Sequence, residues 1–315
     1  MSRLGSLRTP FALVATVVVF GAVAAGPMSP EAGARVAVGA YIKGADRHPG
    51  MIRDYARRVG RTPAIVNIYK DWGHPVFESH QLRAIWRQGA VTMVTLEPWG
   101  VSLRSVAHGG YDRYVEGIAR AARRWHRPVF LRFAHEMNGN WYPWGVRTPA
   151  HTYKAAWRHL VRVFRRVGAG NVKWVWTPYA SDHFSLAGRY PGNAWVDWVG
   201  LDGFNWGGSQ PWLSFSRIFA SPYRVLTSLS DAPVMLAEIA SSESGGNKAA
   251  WLSSALNRQI PHMRQVRALV WWSADSPRGD FRVNSSHSAL RALRHALKRR
   301  DYQVGRRELA RSMGR

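Results

Sequence analysis

The sequence predicts an α/β fold, a single (β/α)8 TIM barrel, from three observations. Short β-type runs alternate with helix-length amphipathic stretches from Val36 almost to the C-terminus, the pattern of parallel strands joined by crossover helices. The β-type runs number eight, the count that closes a barrel. No Gly-rich phosphate loop follows the first of them, which argues against a doubly wound nucleotide-binding sheet.

In order, the expected strands are Val36 to Tyr41, Ala64 to Tyr69, Val91 to Glu97, Val129 to His135, Val172 to Thr177, Trp198 to Phe204, Pro233 to Glu238 and Ala268 to Ser273. Each is rich in branched and aromatic residues, as strands buried on both faces require. Between them, Tyr111 to Trp125 and Thr152 to Val167 repeat apolar residues at three- and four-residue spacing against an Arg-rich face. Such segments read as amphipathic helices covering a sheet. No Pro- or Ser-rich linker divides residues 35–300, so they form one domain. The chain from Arg291 is basic and reads as a closing helix and then a solvated end, with 301–315 a basic tail.

With 315 residues and 46% hydrophobic content, the chain can bury a barrel-sized core. The net charge of +25 is spread along the sequence without an RNA- or DNA-binding motif, so it reads as a solvated Arg-rich surface and predicts no nucleic-acid partner. There is no cysteine, which excludes disulfides, thiol nucleophiles and thiolate metal sites. Arg3 and Arg8 precede the apolar run Phe11 to Ala25, which is short for a membrane span; small-x-small patterns occur at its end, Ala22-Val23-Ala24, and beyond it, Ala32-Gly33-Ala34. Residues 1–34 are therefore a signal peptide or an N-terminal membrane anchor, and the protein is expected to be secreted or held in the cell envelope. Nothing in the sequence specifies an oligomeric state.

In a barrel of this kind reactive groups gather at the carboxyl ends of the strands. Those ends carry Asp71 and Trp72, Glu97 and Trp99, His135 and Glu136, Trp176 and Thr177, Asp202, Glu238, and Trp272. A rim of carboxylates and indoles is what a polysaccharide-cutting cleft needs, because aromatic faces stack on sugar rings and two carboxyl groups flank the glycosidic bond. Two pairs lie on roughly opposite sides of the barrel, Glu136 with Glu238 and Glu97 with Asp202. Side-chain reach favours the first pair, both glutamates at strand ends. In that reading, aromatic neighbours such as Trp141 desolvate Glu136 and raise its pKa.

Three segments resemble glycoside hydrolase family 26: Leu131-Arg-Phe-Ala-His-Glu-Met-Asn-Gly-Asn-Trp-Tyr-Pro-Trp144, Tyr190-Pro-Gly-Asn-Ala-Trp-Val-Asp-Trp-Val-Gly-Leu-Asp-Gly-Phe-Asn-Trp206 and Asp280-Phe-Arg-Val-Asn-Ser-Ser286. The resemblance runs from about Val38 to Leu297, and the intervening helices are generic. It implies retaining β-glycosidase chemistry on a (β/α)8 barrel, with Glu136 the general acid/base and Glu238, in Met235-Leu-Ala-Glu-Ile-Ala240, the nucleophile. It also implies substrate contacts by Arg132, His135, Trp141, Phe204 and Trp272, Trp144 being a second choice for the wall beside Glu136. For Trp99 and Trp206, sugar stacking and core packing stand level. Many members of the family carry a tyrosine on strand six that hydrogen-bonds the nucleophile; here that place falls on Phe204, so Asn205 or Arg132 is expected to act instead.

The expected substrate is a β-linked polysaccharide, β-1,4-mannan first, with mixed-linkage β-glucan and β-1,3-xylan as rivals. A weakly active or non-hydrolytic envelope polysaccharide-binding or assembly protein is the alternative from another class, favoured by Phe204, the strong basic charge and the N-terminal anchor reading. An anionic-polymer binder using the basic surface is a third reading. No cofactor is expected. The histidines, His74 and His80 among them, show no metal-ligand spacing, and Ser-nucleophile, zinc-protease and P-loop motifs are absent.

Overall fold

Eight strands close into a parallel barrel in sequence order: β1 (Ala37–Ile42), β2 (Ile65–Asp71), β3 (Val91–Glu97), β4 (Val129–Phe133), β5 (Val172–Trp176), β6 (Trp198–Asn205), β7 (Val234–Ser241) and β8 (Val266–Ser273). β8 closes the ring by pairing with β1 from Ala37↔Ala268 to Ile42↔Ser273. This computed structural model describes residues 35–181 and 185–314; the expected signal peptide or anchor over 1–34 lies outside the described residues.

The outer layer comprises α1 (Gly50–Val59), α2 (Ser79–Arg87), α3 (Leu103–Ala107), α4 (Asp112–Trp125), α5 (Ala150–Val167), α6 (Phe215–Leu229), α7 (Lys248–Ser254) and α8 (His287–Ala296). α4 and α5 occupy the two segments whose periodicity predicts helices, and each buries its apolar stripe: Val115, Ile118, Ala122 and Trp125 in one, Tyr153, Trp157, Leu160 and Phe164 in the other. Side-chain caps open several helices, for example Ser286 Oγ accepting from Ala289 N at 3.1 Å. The β5–β6 connection departs from the strand-then-helix pattern. Its described residues hold only 3-10 turns, at Ala187–Arg189 and Asn193–Trp195, because Gly188, Pro191 and Gly192 interrupt any longer helix.

Strand alternation divides the core in two. Val94, Leu96, Leu131 and Phe133 face the helices and belong to the larger cluster. Their neighbours Val91, Met93 and Phe130 join Ala37, Ile65, Val175, Met235, Ala268 and Val270 in a second cluster that fills the lower barrel. Gly39 on β1 is part of that fit, since a Cβ there would lie 2.7 Å from the Ile65 Cβ and carbonyl oxygen.

The C-terminus corrects an expectation. Residues 301–314 are not a solvated tail: α9 (Arg306–Met313) packs Leu309 and Met313 into the lower-barrel cluster. Val304 bridges to Ala37, Arg306 donates to the Trp86 carbonyl at 2.6 Å, and Arg35 pairs with Glu308 at 2.9 Å. The basic residues of this segment conceal an apolar stripe one turn apart, enough to plug an open barrel end. Among the described residues, no helix is long and apolar enough to cross a membrane.

Candidate active site

The inward columns change character at one layer. On β2 the sequence of inward residues is Ile65, Asn67, Tyr69; on β3 it is Val91, Met93, Thr95, Glu97; on β4, Phe130 then Arg132. The apolar floor thus gives way to a buried polar layer, and above it lies the carboxyl-end mouth. Thr95 donates to Asn67 Oδ1 at 2.8 Å, and Arg132 Nε donates to Thr95 Oγ1 at 2.9 Å. This chain of hydrogen bonds holds the guanidinium on the barrel axis.

Arg132 is fully buried and binds two carboxylates. Nη1 donates to both Asp202 oxygens at 2.9 and 2.8 Å, and Nη2 donates to Glu238 Oε1. Burial opposes its charge, but Asp202 and Glu238 outweigh it and hold the guanidinium pKa well above its usual value. For Asp202, burial outweighs the pull of Arg132 and pushes the carboxyl well above its usual range, although one guanidinium nitrogen, Nη1, reaches both of its oxygens within 2.9 Å. Arg132 thus engages both Asp202 oxygens but only Oε1 of Glu238.

Both glutamates of the favoured pair sit beside backbone irregularities rather than at strand ends. β4 stops at Phe133, short of the expected His135, because Ala134 and Glu136 adopt left-handed conformations with φ of 45° and 51°. Left-handed non-glycine residues are strained and cluster where geometry serves chemistry. The twist turns Glu136 into the mouth, its N–H bonded to the Thr177 carbonyl at 2.8 Å. Glu238 lies inside β7, which continues to Ser241, where pairing with β8 shifts register between Leu236 and Ile239. Such bulges re-aim side chains.

Glu136 accepts the Trp141 indole N–H on Oε2 at 2.6 Å. Gly139 makes this possible, since a Cβ there would overlap the Trp141 ring. Burial, reinforced by the charge on Glu238, pushes the Glu136 carboxyl up to about 8, against the opposing pull of the Trp141 bond. Glu97 is pushed up to about 7, chiefly by burial, and accepts from Trp99 Nε1 at 3.2 Å. His135 is buried beneath Tyr142, whose hydroxyl lies 3.2 Å from Nε2. Burial and the Arg132 charge hold its pKa well below the usual imidazole value, so it is neutral.

The aromatic residues separate into cleft and packing. Trp141 and Trp99 are 41% and 44% exposed, whereas Trp144 is buried and spends its N–H on the His135 carbonyl at 2.7 Å. Trp272 is partly buried, stacked on Tyr41 at 5.5 Å. Phe204 does not face the cleft as a free surface. It is 7% exposed, stacked on Trp206 at 4.7 Å and edge-on to Trp272 and Phe281 at 5.7 and 5.8 Å. Of the two expected substitutes for a strand-six tyrosine, Asn205 turns away to Ser241 and the Leu213 N–H, while Arg132 does reach Glu238.

Sequence reasoning missed Tyr69, whose hydroxyl donates to Glu238 Oε1. Its position at the end of an expected strand is visible in the sequence, but its inward direction toward a residue on β7 is not. His135, Glu136 and Asp202 also present ligand-type atoms within 4.8 Å of one another. With both Asp202 oxygens bound by Arg132, the guanidinium already supplies the positive charge a cation would bring.

A parallel eight-stranded barrel with two buried glutamates and exposed indoles at its carboxyl-end mouth has the architecture of a carbohydrate-active enzyme. Its fold matches that of a modular endo-β-1,4-mannanase from Cellulomonas fimi, with a TM-score of 0.65 at 19% identity over 83% of this chain and 69% of that one. Residues 38–254 match the sequence profile of glycosyl hydrolase family 26, and the chain belongs to that family. It is 34% identical to Endoglucanase H of Acetivibrio thermocellus over 82% of its length, spanning 30% of that protein. It is 24% identical to mannan endo-1,4-beta-mannosidase A and B of Caldalkalibacillus mannanilyticus over 78% of its length, spanning 55% of that protein.

Proposed function

We propose that the chain is an exported, retaining endo-β-glycosidase that cuts a β-linked polysaccharide by double displacement. The observation that carries this reading is the contrast between two carboxyl groups in one mouth. Glu136 is pushed up to about 8 and so stays protonated near neutrality, while Glu238 is paired with the Arg132 guanidinium. Environments that set two carboxyl groups apart assign the acid and the nucleophile.

In the first step a Glu238 oxygen lone pair forms a bond to the anomeric carbon. The glycosidic C–O bond breaks, its electron pair stays with the departing oxygen, and that oxygen takes the Glu136 proton. In the second step a water gives its proton to the Glu136 carboxylate and attacks the anomeric carbon, which releases Glu238 and restores the protonated acid. Arg132 holds Glu238 through both steps. His135, neutral throughout, is available to hydrogen-bond a sugar hydroxyl, and the exposed Trp141 and partly buried Trp272 offer faces for stacking.

β-1,4-Mannan is the leading substrate, supported by family membership and by the mannan-active relative. The 34% identity to a protein named Endoglucanase H favours β-glucan as a second reading, although that name describes a chain of which this one spans 30%. The non-hydrolytic alternative draws on Phe204, the strong basic charge and the N-terminal apolar run; the Tyr69 bond to Glu238 weighs against the first of these. Export rests on the apolar run Phe11 to Ala25 behind Arg3 and Arg8.

The test is reducing-end release from mannan, glucomannan, mixed-linkage β-glucan and β-1,3-xylan, with Glu238→Ala as control. Cleavage that the control lacks supports the reading and names the polymer. Polymer binding without cleavage would transfer the fold to a binding role.

A further inference from the structure

We infer that Tyr69 is a positioning residue that fixes Glu238 for attack through Oε2 and couples this nucleophile to the sugar platform at Trp272. The inference rests on the hydrolase reading above and adds to it which oxygen attacks and what holds it in place.

The direction of each hydrogen bond follows from donor chemistry. An indole N–H can only donate, so Trp272 Nε1, at 3.2 Å from the Tyr69 hydroxyl, gives its proton to that oxygen. The single phenolic proton is then left for Glu238 Oε1. Arg132 Nη2 converges on the same Oε1 from β4. Two donors therefore occupy one carboxylate oxygen, and Oε2 keeps its lone pairs for the anomeric carbon. Burial and the charge on Glu238 hold the Tyr69 phenol well above its ordinary range, so it remains a donor at working pH.

The ring of Tyr69 has little freedom to swing away. Tyr41 meets it edge-on at 5.0 Å, and the Arg132 guanidinium lies 5.9 Å from the ring centre. Tyr41 also stacks against Trp272 at 5.5 Å with 27° between the planes. Phe204 meets Trp272 edge-on at 5.7 Å, and Phe281 does so at 5.8 Å. The indole is thus clamped in the orientation that aims its N–H at Tyr69. A sugar stacking on Trp272 adds one more wall to this clamp, and the restraint passes through one phenol to the nucleophile. Binding at the platform is thereby converted to orientation at the reacting centre, where it raises turnover rather than affinity.

The experiment compares the full-length chain with Tyr69→Phe and with Trp272→Phe on the polymer that the wild type cleaves. It records kcat and KM separately, together with the rate of covalent labelling of Glu238 by an activated 2-deoxy-2-fluoro glycoside. Tyr69→Phe keeps the ring and loses the donor, so kcat and labelling should fall by about 10- to 1,000-fold, the range seen when an oriented donor is lost, with KM little changed. Trp272→Phe keeps a stacking face and loses the N–H, so labelling should also fall, by less. An active wild type with Tyr69→Phe labelling at the wild-type rate would overturn the inference alone. So would a loss confined to KM, or one that merely tracks a drop in thermal midpoint. A wild type that neither cleaves any polymer nor accepts the label would instead overturn the hydrolase reading.

Discussion

Trp141 donates its indole N–H to Glu136 Oε2 at 2.6 Å from five residues farther along the same loop. The indole thus covers the proposed general acid and hydrogen-bonds it at once, two effects of opposite sign on its proton. Burial wins, and the carboxyl is pushed up to about 8.

In the proposed mechanism the alkaline limb of the kcat/KM profile should therefore fall near pH 8, where Glu136 loses the proton it donates. Trp141→Phe retains an aromatic cover and removes the donor that favours the carboxylate, so this limb should move to higher pH. A stopped assay on polymer across the alkaline range would show it; a limb moving downward would mean that cover, not the hydrogen bond, is what the indole chiefly provides.

Stability should respond to the same group. Its pKa rises from 4.5 in the unfolded chain to about 8 in the folded one, so between those values the unfolded state has released the proton and the native state has not. Stability contributed by Glu136 is present below pH 4.5 and declines as pH rises toward 8. Glu136→Gln removes this penalty. The variant should unfold at higher denaturant than wild type at pH 8, by up to a few kcal/mol, and the advantage should shrink toward pH 5 as the wild-type penalty disappears.

The two glutamates should differ by substrate. Glu136→Ala should lose about 10²- to 10⁴-fold on polymer, where the leaving sugar needs a proton, and much less on aryl glycosides with acidic leaving groups. Glu238→Ala should lose both activities, since no covalent bond can form. Equal losses on the two substrate types for Glu136→Ala would remove it from the acid role.

Arg132→Met leaves Asp202 and Glu238 as buried carboxylates without their shared cation. Breaking a buried pair by removing one partner costs about 3–5 kcal/mol. Urea unfolding at neutral pH should report that loss, and it should diminish at acid pH as the abandoned carboxylates take up protons.

At the other end of the barrel, Leu309→Ala should cost about 2–5 kcal/mol, the range for emptying a packed core site, while leaving kcat unchanged. Leu309 is buried in the lower-barrel cluster, remote from the mouth. A surface-like effect on unfolding would argue that α9 only rests on the barrel.

Eight runs of strand character, the amphipathic helices α4 and α5, and Glu136 and Glu238 are all legible in the chain, because they rest on local periodicity or short motifs that neighbouring residues encode by themselves. The strand ends are less visible: β4 stops at a left-handed Ala134, and β7 runs three residues beyond Glu238. Both depend on pairing with neighbouring strands. The basic C-terminal segment misleads because its charges outnumber the few apolar residues that plug the barrel.

The sequence by itself therefore determined the barrel, the family and the two carboxyl groups, because periodicity and motif are properties of contiguous residues. The tertiary structure alone decided how the site is wired. Tyr69 and Glu238 stand 169 residues apart, Tyr69 and Trp272 203 apart, and Arg132 reaches Asp202 and Glu238 across 70 and 106. Only closing the barrel brings these groups to one axis, where burial raises one carboxyl and pairs another, and no local pattern in the chain records that convergence.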